Sequence, residues 1–184
     1  VEIDAALFRA DTRDELAVAT NVAGRSSYQN VGHTRREGYE LSADAALWAG
    51  WHLRAGFTHL LADFRSDFST CVGTPCTLTP VRAGTPLPGV PRNYGSLRLG
   101  HDAERGWSGG LELNGVGKVT ANDVGSASAA GYLLTGLDVG YGFALAAAST
   151  LHLSLRVDNV FDRKYVGSVI VNEIAPRVHN SGHW

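Results

Sequence analysis

Apolar and polar residues alternate along this chain with a period of two. From Thr150 to Asp158, Leu151, Leu153, Leu155 and Val157 fall on one parity, with His152, Ser154, Arg156 and Asp158 on the other. Between Gly131 and Phe143, Leu133, Leu137, Val139, Tyr141 and Phe143 oppose Gly136, Asp138, Gly140 and Gly142. Trp107, Leu111 and Leu113 oppose Ser108, Glu112 and Asn114, and Trp51, Leu53, Ala55 and Phe57 oppose His52, Arg54 and Thr58. Upstream, Tyr39, Leu41, Ala43, Ala45 and Leu47 oppose Glu40, Ser42 and Asp44, while Val1, Ile3, Ala5 and Leu7 oppose Glu2 and Asp4. A weaker copy spans Val90 to Gly100, where Leu97 and Leu99 face away from Arg92, Ser96 and Arg98. Successive side chains of a strand point to opposite faces, so these runs predict about seven strands, each with one apolar and one polar face.

The connections alternate in length. Tight turns are expected at Trp48 to Gly50, Asp102 to Gly106 and Ala146 to Ser149; longer segments rich in Gly, Ser, Thr and Pro cover Asn21 to Ser27, Ser66 to Gly89 and Asn122 to Ala129. Short turns at one rim and long loops at the other, joining strands of about ten residues, are the signature of an antiparallel up-and-down transmembrane β-barrel. A soluble β-sandwich or lipocalin-like barrel also alternates, but its apolar face lines the interior. Here the opposite parity carries Arg54, Glu112, Lys118, Asp138, Arg156 and Asp158, which suit a watery lumen, and Trp51, Trp107, Tyr141 and Phe143 gather at the short-turn rim as an aromatic girdle does. The expected fold class is therefore all-β.

Composition agrees. The chain has 184 residues and a formal net charge of −2, without the basic excess of a nucleic-acid binder. Its 22 glycines are about 12% of the chain, against a usual ~7%, with no collagen period. No run approaches the ~18 apolar residues of a membrane helix, and the first residues lack signal-peptide regions. Methionine is absent, which predicts a processed chain or a fragment. Cys71 and Cys76, with Pro75 between them, predict a local disulfide formed in an oxidising compartment; free thiols or a metal pair are the alternatives.

Several segments go beyond pattern. Asp4 to Leu16 is similar to a strand ending in an acidic "T-x-D-E/L-I" segment. Tyr28-Gln29-Asn30-Val31-Gly32 followed by Thr34 to Leu41 is similar to a "Y-x-N-x-G…G-x-E-L/I" strand. Leu87-Pro88-Gly89-Val90-Pro91-Arg92 resembles an "I/L-P-G-x-P" strand entry, and Arg156 to Tyr165 resembles "V-x-N-L-F-D-K-x-Y". In order and spacing these segments resemble the carboxy-terminal part of TonB-dependent outer-membrane receptors. The resemblance implies about seven strands of a roughly 22-stranded barrel, seated in the lipid of the outer membrane of a Gram-negative bacterium. It also implies active uptake of a scarce nutrient, most often a ferric siderophore, driven by the inner-membrane TonB complex through an N-terminal part not present here. The loop Phe68 to Cys76 and the segment Val166 to Glu173 resemble the branch associated with pyrroloquinoline quinone uptake, the alternative cargo.

Residues 1–173 are thus expected to be barrel and 174–184 an anomalous tail. Where the family closes its barrel with an aromatic-ended strand, Ile174 to Trp184 shows no alternation, which predicts a frameshift or truncated gene and, as a further alternative, a non-functional product.

Catalytic and metal chemistry find little support. His33, His52, His59, His101 and His152 are scattered, and the i, i+4 pair His179 and His183 would need a helix that Pro176, Asn180 and Gly182 discourage. A hydrolase would need a nucleophile elbow, and Gly167-Ser168-Val169 lacks the second glycine. No enzyme activity and no cofactor are expected. The resemblance places ligand binding at the extracellular mouth. Oxygen-rich anionic ligands suit Arg36, Arg92 and Tyr94 near the long-loop rim, with Tyr28 as an aromatic platform and the 66–89 loop, stiffened by its disulfide and prolines, closing over them.

Overall fold

The computed structural model describes residues 1–22, 25–73, 75–146 and 149–172. The expected tail, 174–184, lies outside them, as does Glu173. Along the chain the strands are β1 (Glu2–Thr12), β2 (Leu16–Val22), β3 (Arg25–Asn30), β4 (Thr34–Ala46), β5 (Trp51–Phe64), β6 (Phe68–Val72), β7 (Thr77–Val81), β8 (Asn93–His101), β9 (Gly106–Val116), β10 (Val119–Thr120), β11 (Ser128–Ala129), β12 (Tyr132–Ala146) and β13 (Ser149–Val157). No helix occurs among the described residues. Seven strands form one antiparallel sheet in the order β1-β4-β5-β8-β9-β12-β13. This is the all-β up-and-down arrangement that the alternation predicts, in the form of part of a barrel wall.

The long connections are more ordered than their Gly, Ser and Thr content implies. Each contains a two-stranded hairpin: β2 with β3, β6 with β7, and β10 with β11. Rim segments this long carry many backbone N–H and C=O groups, and pairing them within the loop satisfies them without the main sheet. Cys71 and Cys76 are joined across the end of the β6–β7 hairpin, with Cα atoms 5.3 Å apart.

Register sorts the side chains by parity. The row Asp44, Arg54, Arg98, Glu112 is polar, as are Asp138 and Arg156 opposite one another. The other parity gives rows such as Ala45, Leu53, Leu99, Leu111, Leu137, Val157. Ile3, Leu7, Leu41, Trp51, Phe57, Leu97, Trp107, Leu111, Leu137, Val139, Phe143, Leu153 and Leu155 are all solvent-exposed large apolar residues of this parity. A sheet with one face apolar and bare and the other charged fits a barrel wall with lipid outside and water inside. Aromatic pairs mark the outer rims. Trp107 and Tyr141 have ring centroids 5.0 Å apart, Tyr141 and Phe143 4.6 Å, both at the short-turn end; at the other end Tyr39 and His59 stack at 5.3 Å. No helix is long and apolar enough to cross a membrane, which says nothing about a barrel.

Glycine shapes this wall at one point above all. A Cβ on Gly38 would lie 2.0 Å from the carbonyl oxygen of His59, so the crowding at this inward position comes from the β5 backbone rather than from lumen side chains. The buried core sits at the long-loop end, where Ala62 and Phe64 of β5 meet Val31, Val81 and Leu87, with Leu60, Phe68, Val90 and Val124 packed around them. The loops therefore fold inward onto the lumen wall, and this apolar cluster positions the mouth.

Candidate functional site at the long-loop mouth

The inward row Thr58, Tyr94, Val116, Tyr132 crosses four adjacent strands just below the loops. Tyr132 packs its ring on Tyr165, with centroids 4.5 Å apart. Beside them is a cavity of about 330 Å³ lined by Gly89, Pro91, Val116, Tyr132, Val166 and Val169 among others. Arg92 lies two residues before Tyr94 on the same face, and its carbonyl accepts the Leu60 amide at 2.8 Å, extending the β5–β8 register past the strand end. Its side chain is exposed and makes no ion pair among the described residues. The mouth thus offers two phenol rings in contact, a third in the same row, and one uncommitted guanidinium.

The four residues expected to bind ligand separate into two kinds. Arg92 and Tyr94 belong to this cluster. Arg36 also points inward, but its row meets Ala62, four residues beyond Thr58 and roughly 13 Å farther up the strand. There its guanidinium is engaged by Glu15 in a two-point ion pair, Nη2 to Oε1 at 2.6 Å and Nη1 to Oε2 at 3.0 Å, with Thr34 also donating to the carboxylate. The Arg36 guanidinium holds the Glu15 carboxyl below its ordinary range. Tyr28 lies in β3 opposite Val18, 65% exposed and away from the tyrosine row. Tyr132 and Tyr165 lie outside the expected set. The available signal was a large aromatic, Tyr132, on the parity otherwise holding Gly136 and Asp138.

The loops over this site are tied at one residue. Asn172, at φ 54°, receives a hydrogen bond from the Asn21 amide on its carbonyl and donates its own amide to Ala121. Its side chain donates to the Val18 carbonyl at 2.6 Å and to Asp123 Oδ2 at 2.7 Å. One residue therefore joins the first and third mouth loops to the segment after β13. Asp123 is fully buried beside Thr70 of β6, which is also buried. Burial pushes the Asp123 carboxyl above its ordinary range, opposed by the Asn172 amide and by the nearby Thr70 hydroxyl, which stands outside hydrogen-bond geometry.

Below the mouth the lumen wall carries a ladder of ion pairs. Arg54 reaches Asp44 at 2.9 Å, Arg98 reaches Asp138 at 2.7 Å and Glu112 at 3.6 Å, and Arg156 reaches Glu112 at 3.0 Å and Asp158 at 2.8 Å. Among the described residues no cluster of three or more His, Cys, Asp or Glu could hold a metal ion.

Residues 1–160 match the family model "TonB dependent receptor-like, beta-barrel". The chain is 26% identical over 171 residues to the ferrioxamine B receptor of Salmonella typhimurium, covering 91% of this chain and 22% of that protein. It is 28% identical over 141 residues to the ferrichrome outer membrane transporter/phage receptor of Escherichia coli, covering 74% and 17%. The crystal structure of the siderophore receptor PiuA from Acinetobacter baumannii superposes with a TM-score of 0.71 at 20% identity, covering 97% of this chain and 23% of that one, a likeness of fold. The chain spans about a fifth of the length of these proteins.

Proposed function

This chain belongs to the TonB-dependent receptor-like β-barrel family, and from that premise we propose that it forms wall and mouth of an outer-membrane receptor that takes up a ferric siderophore. The observation that carries this reading is the mouth cluster: Tyr94 and Tyr132 in one inward row, Tyr165 against Tyr132, and above them Arg92, exposed and without an ion pair among the described residues. Ferric siderophores present flat or oxygen-rich, often anionic surfaces. Tyrosine offers them a ring face and a hydroxyl, and arginine offers charge-assisted donors. The ferrioxamine and ferrichrome proteins that the chain resembles supply the cargo class. Strands from the rest of such a receptor would pair with β1 and β13, the outermost strands of the sheet, and the inner-membrane TonB complex would supply the driving energy.

The test is equilibrium binding by the full-length receptor that carries this segment, with ferrioxamine B and ferrichrome as probes and pyrroloquinoline quinone as the competing cargo. Arg92→Ala or Tyr132→Ala is expected to weaken siderophore binding about tenfold to a hundredfold, the loss of one hydrogen bond to a charged group. Unchanged siderophore affinity in both variants, or binding of the quinone alone, would overturn the reading.

A further inference from the structure

The lipid-facing wall has a notch in it. In the outward row Phe57, Gly95, Gly115, Leu133 two glycines stand side by side between two large side chains. Gly117, one row higher, extends the gap. The row below, Ala55, Leu97, Leu113, Thr135, is filled at its centre by two leucines. The result is a groove of about 450 Å³ with Phe57, Leu97, Leu113 and Leu133 as its walls and bare backbone at Gly95 and Gly115 as its floor. Phe57 leans over Gly95, whose added Cβ would lie 3.3 Å from the ring, and Leu133 leans over Gly115 at 3.5 Å. The backbones of Phe57 and Leu133 lie three strand spacings apart, roughly 14 Å. Because each side chain leans over the glycine beside it, the clear width left between them is about one strand spacing, roughly 5 Å, the width of a single hydrocarbon chain.

The position of the groove identifies its occupant. It interrupts the apolar outer band, so the medium facing it is membrane hydrocarbon rather than water. Directly above it runs the row Tyr39, His59, Asn93, where His59 and Asn93 are hydrogen-bonded at 2.7 Å and Tyr39 stacks on His59. This is a polar and aromatic rim at headgroup level on the long-loop side. A lipid whose headgroup lies at that rim would place the first part of one chain in the notch. We propose that the Gly95–Gly115 groove is a binding site for one acyl chain of an outer-leaflet membrane lipid, held against the outside of the wall on which Tyr94 and Tyr132 face the lumen. The site does not depend on the cargo: the groove lies on the outer parity, and the siderophore reading on the inner.

Native mass spectrometry of the full-length receptor, released gently from outer membranes, tests this. The wild type is expected to retain a lipid that Gly115→Phe, which fills the groove from the lipid side, sheds, while Gly136→Ala, on the lumen side and outside the groove, retains it. Heat-modifiable mobility identifies folded protein. Should Gly115→Phe fail to fold, Phe57→Trp replaces it: brominated acyl chains are expected to quench the new indole at least twofold more than they quench Trp51 and Trp107. Equal lipid retention by wild type and Gly115→Phe, equal quenching at the three tryptophans, or a dimer of barrels that depends on Gly115 would each overturn the proposal.

Discussion

Asn172 and Asp123 hold each other at two points: the Asn172 amide donates to Asp123 Oδ2 at 2.7 Å, and Asn172 Oδ1 accepts the Asp123 backbone amide at 3.0 Å. The same Asn172 side chain caps the Val18 carbonyl. Asn172→Ala removes all three contacts and leaves a fully buried carboxyl without its partner, at about 1–3 kcal/mol per orphaned group. The expected result is faster proteolytic nicking of the mouth loops and weaker siderophore binding, with unchanged heat-modifiable mobility of the barrel. Limited trypsin digestion of folded receptor measures it.

Asp123 gives these loops a pH dependence. Burial raises its carboxyl above the ordinary aspartate value, so the folded loops favour the protonated form. Their stability is full below the unfolded value, declines as pH rises through the window between the unfolded and folded values, and is lowest above the folded one. Asp123→Asn keeps an acceptor for Asn172 and turns a donor toward Thr70. It is expected to slow loop proteolysis at neutral pH and to remove the slope that the wild type shows in a digestion series from pH 4 to 7.

Arg36 and Arg92 are predicted to behave differently although both are inward arginines near the rim. Arg36 is neutralised by Glu15, so its loss loosens the segment between β1 and β4 and acts on ligand only indirectly. The pair is partly exposed, and each partner is expected to contribute about 1 kcal/mol. Because Glu15 is held below its ordinary value, that contribution is present above the unfolded value and fades as pH falls through the folded one. A double-mutant cycle on loop stability should show Arg36→Ala and Glu15→Gln to be non-additive. Siderophore affinity should fall much further in Arg92→Ala than in either.

The strands were legible because lipid and water impose opposite demands on successive residues. Leu151, Leu153, Leu155 and Val157 mark an outer face whatever else the chain contains, and Trp51, Trp107 and Tyr141 mark its edge. The mouth was only half legible. Arg92 and Tyr94 sit two apart in sequence and so share a face, but Tyr132 meets Tyr165 through a turn after β13 that no periodicity describes, and Arg36 finds Glu15 across a connection of 21 residues. Asn172 lies 154 residues from Val18. Such long-range pairs depend on how the loops fold inward over Ala62 and Phe64, and hairpins built from Ser, Thr and Asn carry little alternation to announce that.

Two inward glycines make opposite predictions. At Gly38 an added Cβ would strike the His59 carbonyl at 2.0 Å, whereas at Gly56 the nearest atom is Ser96 Oγ at 3.4 Å, an ordinary contact. Gly38→Ala must push β4 from β5 and is expected to cost more than the ~1–3 kcal/mol of common overpacking, which should appear as loss of folded barrel on semi-native gels. Gly56→Ala is expected to assemble at wild-type yield.

The assignment of the outer face is tested by depth. Leu137 lies in the outward row Leu111, Leu137, Val157, near mid-strand, whereas Phe143 lies by the short turn and pairs with Leu151. If this face meets lipid, an arginine at the midplane costs about 2–4 kcal/mol and one near the interface about 0–1 kcal/mol. In a water-exposed face neither position would be penalised this way, because both leucine and phenylalanine are already exposed there. Leu137→Arg is therefore expected to lower folded-barrel stability in lipid vesicles by about 2–4 kcal/mol, and Phe143→Arg to stay within about 1 kcal/mol of wild type. Equal effects at the two depths would place this face in water and remove the membrane reading along with it.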